Sequence, residues 1–194
     1  MIKVLLTGFE PFGKAALNPS GEIVKQIRGE NIVTAILPVA YTRSAAVLLA
    51  LIGEHKPDVV ISLGQAEGRT QITPERIAIN LDDGRLADNE GVLRIDVPIV
   101  LGGPVAYEST LPIKEFVEAI KAAGVPAAVS LSAGAFLCNH IFYVAQDKLK
   151  GSHIRSGFVH VPLMDKQAAE FPGMPTMPLD QMVKAVRAML EVLE

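Results

Sequence analysis

The chain has 194 residues, 49% of them apolar and 20% charged, and carries a formal net charge of −3 at pH 7. That length supports a sizeable core without staples, and that composition is globular, not disordered. The slightly acidic balance, without any Lys/Arg run, argues against a nucleic-acid partner. The longest apolar run, residues 45–52, is too short to span a membrane. One cysteine excludes an internal disulfide and argues against a cysteine-based zinc site. Residues 1–9 lack an h-region followed by a cleavage site, so no signal peptide is expected and a reducing, cytoplasmic setting fits.

Taken in order, residues 2–6 are a compact apolar strand, left by the loop Thr7-Gly-Phe-Glu-Pro-Phe-Gly13. Its glycines and proline make a turn that holds Phe9 and Phe12 near a strand end, as core plugs or as the wall of a pocket. Asn18-Pro-Ser20 starts a helix that runs to about Ile27. Residues 31–39 form a second strand. Residues 43–55 form a helix that Lys56-Pro57 stops, with His55 in its last turn as a structural or solvated residue. Residues 58–63 are β-branched between helices, the pattern of an inner parallel strand. The loop Gly64-Gln-Ala-Glu-Gly-Arg69 matches neither dinucleotide nor phosphate-loop spacing.

Residues 71–81 alternate apolar and polar after Pro74, as a strand or hairpin arm in which Glu75 and Arg76 face opposite sides. Residues 82–91 are a polar loop whose acidic spacing fails the calcium-loop pattern. Residues 92–109 make a hairpin or flap over the sheet edge, and 112–123 a helix closed by Gly124. Residues 127–131 form a short buried strand, followed by an amphipathic helix over 136–149. Residues 156–163 are a further strand, 164–177 are irregular, and 179–193 close the chain as an amphipathic helix. Strands and helices alternate without linker or repeat. Residues 1–194 therefore make one α/β domain, a three-layer α/β/α arrangement around a mostly parallel mixed sheet.

In such sheets, sites form outside the carboxyl ends of the strands. Cys138 falls in the first turn of a helix that begins where a strand ends. Unpaired N–H groups there favour a thiolate and can hold an oxyanion. A lone cysteine is otherwise a small apolar filler, so it needs a base in reach. His140 is two positions away, off Cys138's helix face, and is read as structural. His153 lies in a polar loop. His160 sits on an apolar strand, where an imidazole needs a buried partner. Glu75 and Asp58 are both plausible suppliers of that carboxylate, and spacing does not choose between them.

Five motifs in one order then carry a resemblance. Thr7-Gly-Phe-Glu-Pro-Phe-Gly13 with Asn18-Pro-Ser20, Gly64-Gln-Ala with Gly68-Arg69, Glu75-Arg-Ile-Ala-Ile-Asn80, Ala133-Gly-Ala-Phe-Leu-Cys-Asn-His140 and Gly157-Phe-Val-His-Val-Pro162 together resemble the pyroglutamyl-peptidase (pyrrolidone-carboxylate peptidase) family of cysteine peptidases. They run from residue 7 to residue 162, so the resemblance covers essentially the whole peptidase domain. It implies Cys138 as nucleophile, His160 as base and Glu75 as the residue orienting it. It also implies hydrolysis of the amide after an N-terminal 5-oxoproline through an acyl-enzyme, a thiol-protease reaction. Phe9 and Phe12 match the family's slot aromatics, Asn18 and Gln65 match polar positions near the ring, and Arg85 matches an arginine near the developing oxyanion. A neutral lactam needs a ring-sized apolar slot with a few hydrogen bonds, and no acidic grip for an amine.

No cofactor is implied, and no two histidines have the helix spacing of metal ligands. By family analogy the resemblance implies a homotetramer, with apolar loops at 97–105 or 171–177 as candidate contacts if exposed. Ala135 and Lys14-Ala-Ala depart from the commonest family pattern and bear on slot shape. Two rival readings are a nucleoside phosphorylase-like fold, with Arg69 and Arg76 as phosphate ligands, and a small-ligand-binding domain with an inert cysteine.

Overall fold

A computed structural model describes residues 2–193, so Met1 and Glu194, the two ends of the expected 1–194 domain, lie outside the described residues. The main sheet is built from β1 (Val4–Phe9), β2 (Ile32–Leu37), β3 (Val59–Gln65), β4 (Thr73–Pro74) and β7 (Arg155–Val161). Its order is β2-β1-β3-β7-β4. The first three junctions are parallel, and β4 runs antiparallel to β7 at the edge. Among the described residues, five helices pack on it: α1 (Pro19–Gln26), α2 (Tyr41–His55), α3 (Ile113–Ala122), α4 (Leu137–Leu149) and α5 (Leu179–Glu191). This is the mixed, mostly parallel sheet flanked by helices expected from the alternating pattern.

The period-two alternation of a strand divides the core into two layers. Val4 and Leu6 of β1, Val59, Ile61 and Leu63 of β3, and Val159 and Val161 of β7 pack with α1, α3 and α5. Leu5, Val60 and Phe158 pack with α2 and α4. His160 shares the parity of Phe158, so it stands on the α4 side of the sheet. Thr7 and Ser62 share that face and join by a buried hydroxyl hydrogen bond of 2.9 Å. Every inner strand is thus apolar toward one helix layer and mixed toward the other.

Helix ends follow local chemistry. Asn18 caps α1, its Oδ1 accepting from the Ser20 N–H, with Pro19 at the first helical position. α2 ends at Lys56 in the left-handed region (φ 46°), just before Pro57. Gly124 closes α3 at φ 80°.

Several boundaries differ from the sequence expectation. Residues 7–9 and 64–65, read as loop, continue β1 and β3, since their backbone groups still find ladder partners. Residues 127–131 do not form a buried strand. They run extended beside residues 72–76 with isolated bridges at Ile72–Ala127 and Glu75–Ser130, and Leu131 is exposed. Residues 71–81 split into β4 and a separate β5 (Ile77–Ile79), which pairs with β6 (Ala106–Glu108). The rest of the expected flap is irregular and leaves Ile95, Leu101 and Val105 exposed. In the 164–177 stretch, β8 (Leu163–Met164) pairs with β9 (Thr176–Met177).

Gly8 illustrates how closely α1 rides on the sheet. A Cβ there would lie 2.4 Å from the Ser20 carbonyl oxygen, a backbone atom that cannot step aside. Gly8→Ala is expected to destabilise the fold by about 1–3 kcal/mol, the usual cost of overpacking. The check is a lower urea midpoint at unchanged m-value.

Candidate active site

Three strand ends and one helix start converge on a single cavity of about 770 Å³. β1 contributes Phe9 and the following loop Phe12. β3 contributes Gln65, β7 contributes His160, and the start of α4 contributes Cys138. This is the crevice beyond the carboxyl ends of the strands, beside the point where the chain switches from one side of β1 to the other.

His160 lies in the sheet directly opposite Gly64 on β3 and Thr73 on β4. Glu75 continues β4, and its N–H donates to the Phe158 carbonyl at 2.9 Å. Thr73 and Glu75 therefore share the face of His160, and the buried carboxylate reaches the imidazole. The distance from His160 Nδ1 to Glu75 Oε1 is 2.7 Å. A carboxylate only accepts, so Nδ1–H donates and Nε2 is left as the basic nitrogen. Asp58, the other candidate acid, instead accepts from the Lys3 N–H at the opposite end of the sheet.

The same Glu75 Oε1 lies 2.8 Å from Arg69 Nη1. Arg69 also donates to the Thr73 hydroxyl and, through Nη2, to the Ser132 carbonyl at 3.0 Å. Sequence reasoning assigned Arg69 only a rival role as phosphate ligand. The structure commits its guanidinium to the carboxylate behind His160. The available signal was its position in a glycine-punctuated loop leaving an inner strand.

Cys138 is the second residue of α4 and half-buried. Its Sγ lies 2.8 Å from where a Cβ on Gly64 would stand, and the Phe158 ring would meet that same atom at 2.6 Å. Glycine at 64 is what admits the sulfur to the sheet. The helix start was expected to lower the thiol pKa, but the outcome is opposite. Burial pushes the Cys138 thiol up to about 12, helped by the Glu75 charge and opposed by Arg69 and the helix-start N–H. Desolvation outweighs the dipole. Burial likewise holds His160 below the ordinary imidazole range, against the raising effect of the Glu75 bond. At neutral pH the resting pair is thiol and neutral imidazole.

The remaining expected residues all line the cavity: Phe9, Phe12, Asn18, Gln65 and Arg85. Phe9 is also packed into the α2/α4 core layer, whereas Phe12 is half-buried and stacks loosely toward Phe136 at 6.3 Å between centroids. Asn18 is occupied with structure, since its Nδ2 donates to the Glu10 carbonyl while its Oδ1 caps α1. Arg85 is exposed at the rim. His140 lies outside the cavity lining, bonded through Nδ1 to the buried Asp82 at 2.9 Å, as its helix position suggested. Asn139 holds α4 to β5, accepting from the Ile79 N–H and donating to the Ile79 and Leu81 carbonyls.

With this geometry in view, comparison with known proteins is specific. The profile of the pyroglutamyl peptidase family matches residues 2–194. The pyrrolidone-carboxylate peptidase of Aliivibrio fischeri is 49% identical over 191 residues, covering 96% of this chain and 90% of that protein. The Bacillus amyloliquefaciens enzyme of the same name is 47% identical over 192 residues, covering 95% and 89%. The crystal structure of Bacillus amyloliquefaciens pyroglutamyl peptidase I superposes with a TM-score of 0.94 at 46% identity, covering 97% of this chain and 95% of the other. A mutant pyrrolidone carboxyl peptidase from Pyrococcus furiosus superposes with a TM-score of 0.91 at 40% identity, covering 98% and 97%. The fold and these matches define a cysteine peptidase of the α/β class. Within that class, the chain belongs to the pyroglutamyl peptidase family.

The titration of His160 offers a direct check on the site. A base whose pKa is depressed stays neutral to lower pH, so the His160 ring proton resonance is expected to titrate below the ordinary imidazole range. Glu75→Gln removes a raising interaction and is expected to move the His160 midpoint lower still. A His160 midpoint at or above the ordinary imidazole range would contradict the burial argument.

Proposed function

We propose that the protein hydrolyses the amide bond after an N-terminal pyroglutamyl residue, with Cys138 as nucleophile, His160 as acid and base, and Glu75 as the orienting carboxylate. The observation that carries this reading is the buried Glu75–His160 bond opening onto the cavity that holds the Cys138 thiol. With His160 Nδ1–H held by Glu75, the Cys138 proton passes to Nε2 as Sγ attacks the acyl carbon. Burial that raises the thiol favours transfer coupled to attack over a standing thiolate.

Charge builds on the acyl oxygen beside the start of α4. Phe136 gives that helix no side-chain cap, which leaves the first N–H groups to stabilise the oxyanion, with Arg85 at the rim as a second source of positive charge. The C–N bond then breaks, and the departing amine takes the proton from His160. Water, deprotonated by the same imidazole, attacks the thioester and releases 5-oxoproline with the thiol restored. Glu75 stabilises the imidazolium in both halves, and Arg69 steadies Glu75.

The lactam ring fits between the aromatic wall at Phe9 and Phe12 and the polar end at Asn18 and Gln65. The substrates are accordingly peptides blocked by N-terminal pyroglutamate. The exposed Leu101 and Val105 support self-association of the chain, in line with the homotetramer that the family resemblance implies. No helix among the described residues is long and apolar enough to cross a membrane.

Release of a fluorogenic amine from its pyroglutamyl amide tests the activity. Cys138→Ser or prior treatment with iodoacetamide is expected to lower kcat by roughly a thousandfold or more. His160→Ala is expected to slow alkylation of Cys138 near neutral pH, since it removes the base that takes the proton from a thiol raised by burial. Reduced wild-type protein without turnover would overturn the proposal.

A further inference from the structure

Gln167 ends the short 3-10 turn Asp165–Gln167 and is fully buried. Its amide is oriented by backbone groups whose roles are unambiguous. The Met164 N–H donates to Gln167 Oε1 at 3.0 Å, and Gln167 Nε2 donates to the Leu17 carbonyl at 3.2 Å. The second N–H of that same nitrogen donates to Gln65 Oε1 at 2.9 Å. Both hydrogens of the Gln167 amide are thereby used.

The consequence falls on Gln65, whose side chain lines the cavity and is only 9% exposed. A flipped Gln65 would set its NH₂ against the NH₂ of Gln167, two donors without an acceptor. The pair therefore locks the Gln65 carbonyl toward Gln167 and turns its Nε2 away. That nitrogen is buried and meets no acceptor among the described residues. An unpaired buried donor is costly unless a ligand supplies the missing acceptor.

We propose that Gln167 is a positioning residue for substrate recognition. It fixes the Gln65 amide so that Nε2–H is presented to the ring carbonyl of the bound lactam. Leu17, the third partner, directly precedes Asn18, so the same amide also ties the first loop to the end of β3. The inference rests on the substrate reading proposed above and goes beyond it by naming the donor and the group that aims it.

The test compares the pyroglutamyl amide with the prolyl amide of the same fluorophore, whose ring lacks the carbonyl. Gln167→Glu places an acceptor beside Gln65 and draws its Nε2 toward position 167, leaving the Gln65 carbonyl facing the lactam oxygen. The expected result is a KM for the pyroglutamyl amide raised roughly three- to tenfold, the scale of one hydrogen bond, with kcat and the rate of Cys138 alkylation little changed. Selectivity over the prolyl amide falls by the same factor. The double variant with Gln65→Met is expected to be no worse than Gln65→Met alone. Where Gln167→Glu does not fold, Gln65→Glu decides instead, because it keeps the bond from Gln167 and replaces the unpaired donor by an acceptor. An unchanged KM in the folded variant, or additive losses in the double variant, would overturn the role of Gln167 while leaving the activity intact. Wild-type protein inactive on the pyroglutamyl amide would overturn the substrate reading and this inference with it.

Discussion

A side chain at position 64 and a sulfur at position 138 compete for the same space. β3 and β7 are in register with Gly64 opposite His160, and the missing Cβ at 64 is where Cys138 Sγ and the edge of the Phe158 ring come to rest. The approach of α4 to the sheet, the burial of the thiol and its presence in one cavity with the imidazole all depend on that vacancy. Strand parity does the rest. Because His160 alternates with Val159 and Val161, the residues that bind β7 to one helix layer turn the imidazole toward the other.

The electrostatics of the site are set more by desolvation than by the helix start. A helix N-terminus contributes a partial charge whose effect is modest, whereas removing a thiolate or imidazolium from water is expensive. Cys138 is raised and His160 lowered, so both rest neutral and only the proton-transferred pair carries charge. Glu75 is placed to stabilise the imidazolium of that pair, and its single oxygen Oε1 serves both His160 and Arg69. The neighbouring Asp82 makes a similar cluster, meeting His140 Nδ1 at 2.9 Å and Arg94 Nη1 at 2.8 Å. A buried His–carboxylate–Arg unit is therefore not in itself a site. The Glu75 cluster opens onto the cavity with the sulfur, and the Asp82 cluster braces the helix that carries it.

The cavity walls are held by polar side chains that serve the fold as well. Asn18 lines the cavity while capping α1, and Asn139, next to the nucleophile, clamps α4 onto β5. Gln167 binds the first loop, the end of β3 and its own turn through one amide. Shape and chemistry at the slot thus share residues with the local folding of three separate segments.

Much of this was legible in one dimension. The β-branched runs, Asn18-Pro19 at the start of α1 and Lys56-Pro57 at the end of α2 placed the strands and helices, because capping and alternation are local. Helix spacing was enough to separate His140 from Cys138. The family resemblance named Cys138, His160 and Glu75, where spacing had left Glu75 and Asp58 equal. What only the tertiary structure decided was contact across the sheet. The turn of Arg69 onto the carboxylate that meets His160, the pairing of Gln167 with Gln65 and the raised pKa of the thiol all depend on which strands lie side by side and how much water they exclude. Those pairs are separated by as many as 102 residues. No local pattern encodes such distances, since register and burial are fixed by the packing of the whole sheet against its two helix layers.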